Sequence, residues 1–211
     1  MILETEAVKQ PVVGVAVSRR PEDLSILKTP GCAAALWHRQ PEAGFQTWID
    51  ALDPQHLPDG RVVLHRGSVH RALNELCDIA GTPQCGEREQ LIEDATALSV
   101  IFADLMDAQY LRVRLQAVTT NACRKFHIDA ITARLVCTYR GTGTQYGTSP
   151  DRTDPARVFT VPTGAPILLR GSLWPETPAA GLLHRSPPIE GTDETRLVLV
   201  IDPNTDPEKA R

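Results

Sequence analysis

The spacing of apolar residues changes character near residue 110. Val69, Leu73, Leu76 and Ala80 recur at three and four, the period of a helix that buries one face. They predict a helix over 69–80. Ser68 stands where an N-cap belongs, and Gly81 where a left-handed C-terminal residue belongs. Leu91, Ala95, Leu98, Phe102 and Leu105 keep the same period and predict a second helix over about 87–107. Residues 45–52 allow a turn or two of helix, stopped by Pro54. After Tyr110 the period is two. Leu111, Val113, Leu115 and Ala117 alternate with Arg112, Arg114 and Gln116, as in a half-buried strand. Further strands are expected over 131–139, 158–161, 167–170, 182–185 and 196–201, each bounded by glycine or proline. Residues 32–38 form either a strand or a buried segment.

Helices followed by short strands predict a mostly β protein with some α. The expected fold is a double-stranded β-helix, of the jelly-roll or cupin-like kind, with N-terminal helices packed outside it. Along the chain, residues 1–30 read as a loosely packed N-terminal extension with one apolar run at 12–17. Residues 31–110 read as the helical part of the same domain, 111–203 as the metal-binding β core, and 204–211 as a polar tail. No internal repeat is visible.

Composition narrows the function classes. A chain of 211 residues suits one domain, and 17 prolines with 14 glycines favour short strands joined by turns. A net charge of −4 without a basic stripe gives little support to nucleic-acid binding. No apolar run approaches the roughly 20 residues that span a bilayer, and residues 1–10 lack the pattern of a signal peptide. A cytoplasmic protein is expected. The five cysteines, Cys32, Cys77, Cys85, Cys123 and Cys137, are odd in number and contain no CxxC, which points to free thiols and away from a zinc ribbon.

Candidate chemistry centres on His127-Ile128-Asp129. Residues two apart on a strand share a face, so this pair can aim an imidazole and a carboxylate at one point. His184 ends a later short strand, and Arg196 opens the next. A hairpin with its tip near Glu190 would set His184 across from Arg196. Two histidines and a carboxylate leave three coordination positions open, as in non-heme Fe(II) oxygenases, although the same donors suit Zn(II). Cys123 shares His127's parity, but four strand residues span about 13 Å, too far for a common ion. Gly141-Thr142-Gly143-Thr144 reads as a turn or mobile lid. His38, His56, His65 and His70 read as surface or core residues.

His-x-Asp, a distal His184 and then Arg196 resemble the 2-oxoglutarate/Fe(II) dioxygenases, the phytanoyl-hydroxylase-like branch included. More closely, NACRKFHIDAITARLVCTYRGTGTQYG and LLHRSPPIEGTDETRLVLVID are similar to a bacterial family, the domain of unknown function numbered 1826, over about residues 20–203. The dioxygenase resemblance implies that His127, Asp129 and His184 ligate Fe(II) and that Arg196 holds the distal carboxylate of 2-oxoglutarate. Tyr139 or Arg134 would add a contact, and their opposite parity allows only one of them. Arg185 competes with Arg196. Members of the bacterial family are described beside zinc metallochaperone GTPases. That implies an alternative role in zinc homeostasis, with such a GTPase as partner and Zn(II) in the same site.

Overall fold

The computed structural model describes residues 13–175 and 179–204. Among the described residues three α-helices form, α1 (Ala43–Ala51), α2 (Val69–Ala80) and α3 (Gly86–Met106), the last two where the 3.6-residue period runs. Gly81 takes φ 65° and closes α2, as a residue without Cβ can. Ser68 precedes the helix but makes no side-chain cap. Among the described residues no helix is long and apolar enough to cross a membrane.

Among the described residues ten strands follow the chain as β1 (Gly14–Ser18), β2 (Cys32–Trp37), β3 (Gly60–His65), β4 (Tyr110–Val118), β5 (Ala133–Arg140), β6 (Gln145–Thr148), β7 (Phe159–Thr160), β8 (Pro166–Arg170), β9 (Leu182–Arg185) and β10 (Arg196–Asn204). They make a seven-stranded sheet in the order β1-β2-β8-β5-β10-β4-β3 and a three-stranded sheet in the order β7-β6-β9. β1 and β2 are parallel, and the other pairings are antiparallel. The fold is a double-stranded β-helix of two sheets that do not close into a barrel.

Alternation along the strands sorts two cores. Leu111, Val113, Leu115, Leu135, Leu197, Leu199 and Ile201 face the helices and meet Phe45, Leu73, Leu91 and Phe102. Val136, Ile167, Leu169 and Val198 face the smaller sheet and meet Val161 and Leu182. Each fully buried leucine, isoleucine or phenylalanine contributes roughly 1.5–3 kcal/mol. The outer face is thereby covered by helices, and the inner face meets the smaller sheet.

Three expectations change. The described part of the N-terminal extension is packed, not loose. β1 adds an edge strand, Leu24 and Leu27 are buried, and Arg170 donates to the carbonyls of Leu27 (2.9 and 2.6 Å) and Thr29 (3.0 Å). The helical part contributes β2 and β3 to the large sheet. The hairpin between the last two strands does not form. β9 pairs with β6 in the smaller sheet, while β10 lies between β5 and β4 in the larger one. Residues 1–12 of the extension and 205–211 of the tail lie outside the described residues, and Asn204 ends β10.

Candidate metal centre

His127 lies between β4 and β5. Its backbone N–H and C=O exchange 3.0 Å hydrogen bonds with those of His184 on β9. This bridge sets the two imidazoles side by side, with centroids 4.5 Å apart. His127 Nδ1 lies 2.9 Å from the Lys125 carbonyl. Donating there leaves Nε2 as an acceptor, the usual device for fixing a ligand tautomer. Asp129 is seated by backbone packing: its carbonyl accepts from Ser172 N–H at 2.9 Å. Gly171 has no Cβ to meet the carbonyls of Ile131 and Asp129, which press against it.

His127, Asp129 and His184 each offer one donor atom, all within 4.8 Å of one another. Asp129 Oδ1 is 3.6 Å from His127 Nε2, and Asp129 Oδ2 is 3.0 Å from His184 Nε2. Donors at right angles about an ion with bonds of ~2.0–2.2 Å would stand roughly 3 Å apart. Arg134 Nη1 lies 2.6 Å from the same Oδ2. Despite these neighbours, Oδ2 is buried with no aligned hydrogen bond. The guanidinium and the imidazole beside it stabilise its charge, and a cation at the centre of the three donors would add to them. The residues present therefore fit a mononuclear ion, and the set of two imidazoles and one carboxylate suits Fe(II) or Zn(II).

Electrostatics agree with ligand duty. Burial alone would raise the Asp129 carboxyl. The two imidazoles and Arg134 outweigh it and hold the group well below the usual carboxylate range. Asp129 in turn raises His127, against its burial. His184 is more deeply buried, and desolvation lowers it in spite of Asp129, so it stays neutral and free to ligate.

Arg134 is committed to carboxylates. Besides Asp129 it holds Asp202 through Nε at 2.7 Å and Nη2 at 3.0 Å. It steadies a candidate ligand, and its donors are taken up by these two carboxylates. Asp202 is buried and was not anticipated; its signal is a charge ending the apolar run of β10. Arg196 is 1% exposed and lines the same cavity as His127, His184 and Arg134, a space of about 110 Å³. Its Nε donates to Thr142 O at 2.6 Å and its Nη2 to Thr138 Oγ1 at 3.4 Å. No carboxylate lies within 4 Å of it among the described residues. Burial pushes its pKa down to about 10, which Glu194 only partly offsets. Glu194 is engaged by the N–H and hydroxyl of Thr142. The Gly141–Thr144 stretch is thus part of the wall, with Thr144 buried.

Tyr139 is not in this cavity. It faces the helices, where its hydroxyl donates to Asp94 at 2.7 Å and Asp94 pairs with Arg39 through both oxygens. Strand alternation carries Arg134 inward and Tyr139 outward. Arg185 lines the same cavity, with its Nε bonded to Gln145 at 2.8 Å and its guanidinium stacked on Phe126, and it stays the rival to Arg196. Cys123 is exposed at the cavity mouth.

The profile of the family described as "Protein of unknown function (DUF1826)" matches residues 18–202. A comparison with curated proteins gave no match. Among solved structures, dioxygenase for auxin oxidation 1 from Arabidopsis thaliana, in a binary complex with 2-oxoglutarate, is similar at TM-score 0.53 and 9% identity, over 90% of this chain and 91% of that one. The dioxygenase for auxin oxidation of rice gives TM-score 0.48 and 10% identity, over 90% and 82%. A 2OG-Fe(II) oxygenase family oxidoreductase from Burkholderia pseudomallei gives 0.43 and 14%, over 90% and 96%.

Proposed function

We propose that this chain, which belongs to the DUF1826 family, is a cytoplasmic 2-oxoglutarate/Fe(II)-dependent oxygenase. The observation that carries this reading is Arg196, a buried guanidinium with no carboxylate partner among the described residues, in the cavity lined by His127 and His184 of the donor set. A charge buried without a counter-ion is costly. A five-carbon dicarboxylate whose keto-acid end lies at the triad would place its far carboxylate there. His127, Asp129 and His184 would hold the Fe(II). Bound there, it would supply the O2 activation that couples oxidation of a substrate to loss of CO2 from the keto acid. Arg134 and Asp202 keep Asp129 oriented, and Val136 and Val198 make the adjoining wall apolar.

The test is calorimetry with 2-oxoglutarate on the Fe(II)-loaded protein under anaerobic conditions, or on the Mn(II)-loaded protein. Arg196→Ala should remove a charge-assisted contact of about 1.5–3 kcal/mol. That is roughly a 10- to 150-fold loss of affinity, with metal binding nearly unchanged. If the unmutated metal-loaded protein takes up no 2-oxoglutarate, the oxygenase reading fails. A metal-handling protein, with Zn(II) in the site and a metallochaperone GTPase as partner, then becomes the better account.

A further inference from the structure

The smaller sheet has three strands against seven and leaves part of the larger sheet's inner face open. β4 and β3 present Arg112, Arg114 and Arg61 there. Arg114 lines the metal cavity and stands directly opposite Arg61 in the β3–β4 ladder. Facing positions in such a ladder have Cβ atoms about 4.5–5.5 Å apart, and like charges placed so are destabilising. The Nε atoms of Arg112 and Arg114 are buried with no hydrogen-bond partner. The acid within reach is Asp202, and Arg134 already holds both its oxygens. Arg114 touches it once at 3.3 Å and Arg112 at 4.0 Å, while Arg61 has no carboxylate within 4 Å among the described residues. Three guanidinium groups thus crowd Asp202, one of them also holding Asp129, and Arg61 stands beside them with no carboxylate within 4 Å among the described residues, in a chain whose net charge is −4.

An anion between Arg61, Arg112 and Arg114 would relieve the facing charges and satisfy the open donors. Arg196 would not serve this anion. It pairs with Val118 at one end of the β4–β10 ladder, whereas Arg112 pairs with Asp202 near the other. Six strand residues separate the two positions by about 20 Å, and the cavity beside His127 and His184 is lined by Arg114 as well as Arg196. We infer that Arg61, Arg112 and Arg114 recognise a carboxylate or phosphate monoester on a small-molecule substrate and so hold it beside the metal. That this anion is the substrate's rests on the oxygenase reading; that the three arginines bind an anion does not.

The test is calorimetry at low salt on the full chain, without metal and with Mn(II), using inorganic phosphate and propionate as probes. At least one should bind. Arg61→Gln and Arg114→Gln should each weaken it about tenfold, the size of a lost charge-assisted contact. Arg61→Lys should weaken it less, and Arg196→Ala should leave it unchanged. Arg61 is exposed, so its variants should fold. The preferred probe tells carboxylate from phosphate. Saturation by neither probe overturns the proposal, as does binding lost in Arg196→Ala but kept in Arg61→Gln. A fluorescein-labelled single-stranded oligonucleotide that binds more tightly than either probe, and is lost in the same variants, overturns the small-molecule assignment. 2-Oxoglutarate titrated into the same variants separates the two readings: Arg61→Gln should keep it. Probe binding without any 2-oxoglutarate binding would uphold the anion site and sink the oxygenase.

Discussion

Arg134 shows how much one side chain can decide. It spans the candidate ligand Asp129 and the buried Asp202. Arg134→Met should leave Asp202 with only the weaker reach of Arg114 and Arg112. Breaking a buried pair costs about 3–5 kcal/mol, and losing support to a ligand typically lowers metal affinity ~10- to 100-fold. Urea unfolding and competition with a chromophoric chelator would measure the two losses separately. Protons are the other competitor for the site. Asp129 raises His127, so in the metal-free protein this group adds stability below the ordinary imidazole pKa of about 6.5, and the gain is lost as pH rises through its raised value. His184 is lowered; its contribution is present above about 6.5 and is lost as pH falls through its depressed value. A ligating imidazole must be neutral. Metal affinity should therefore begin to fall as pH drops through the raised value of His127, well before His184 protonates. Dissociation constants from pH 8 to 5.5 would show this, and a pH-independent affinity would mean that His127 is not a ligand.

At the scale of elements, the sequence was most legible where its period was long and unbroken. The ends of α2, the alternation of β4 and the apolar runs of β8, β9 and β10 all matched. β3 went unread because its alternation is brief and lies at a sheet edge. β6, Gln145–Thr148, carries almost no apolar signal. Strand partners are not written in a period at all, which is why β9 and β10 were expected to form a hairpin. His127, Asp129 and His184 were legible as candidates and do cluster, but 127–129 forms no strand, and a single bridge from His127 to His184 brings the two imidazoles together. The Arg134–Asp202 pair was not legible, because it joins neighbouring strands whose register no local pattern fixes. Gly171 belongs to this hidden class. A Cβ there would collide with the carbonyls of Ile131 and Asp129, and backbone cannot swing aside as a side chain can. Gly171→Ala should cost about 1–3 kcal/mol and should weaken metal binding by moving Asp129. Gly86→Ala, where a Cβ meets nothing within 4 Å, is the matched control. Equal thermal and metal-binding behaviour of the two variants would contradict this account of the Asp129 segment.

Across the whole molecule, an ion at the triad would join segments far apart in the chain, the β4–β5 connection and β9. Ion bound only by the folded state at a hundred times its dissociation constant stabilises by about 2.7 kcal/mol. For a chain of this size each kcal/mol shifts Tm by roughly 2–4 °C. Adding metal should therefore raise Tm by about 5–11 °C, a chelator should reverse the shift, and His184→Ala should abolish it. Differential scanning fluorimetry reads all three. The sheet order also bears on how the chain is made. β10 fills the gap between β5 and β4, yet it is the last of the described strands in chain order. During synthesis at ~5–20 residues per second, the helices and β4 emerge on the order of several seconds before the strand that completes their sheet. Through that interval β4 and β5 each show an unpaired edge, the form of backbone most prone to join another chain. Nascent chains stalled before Arg196 should be protease-sensitive and self-associating, and those stalled with β10 clear of the ribosomal tunnel should become resistant in one step.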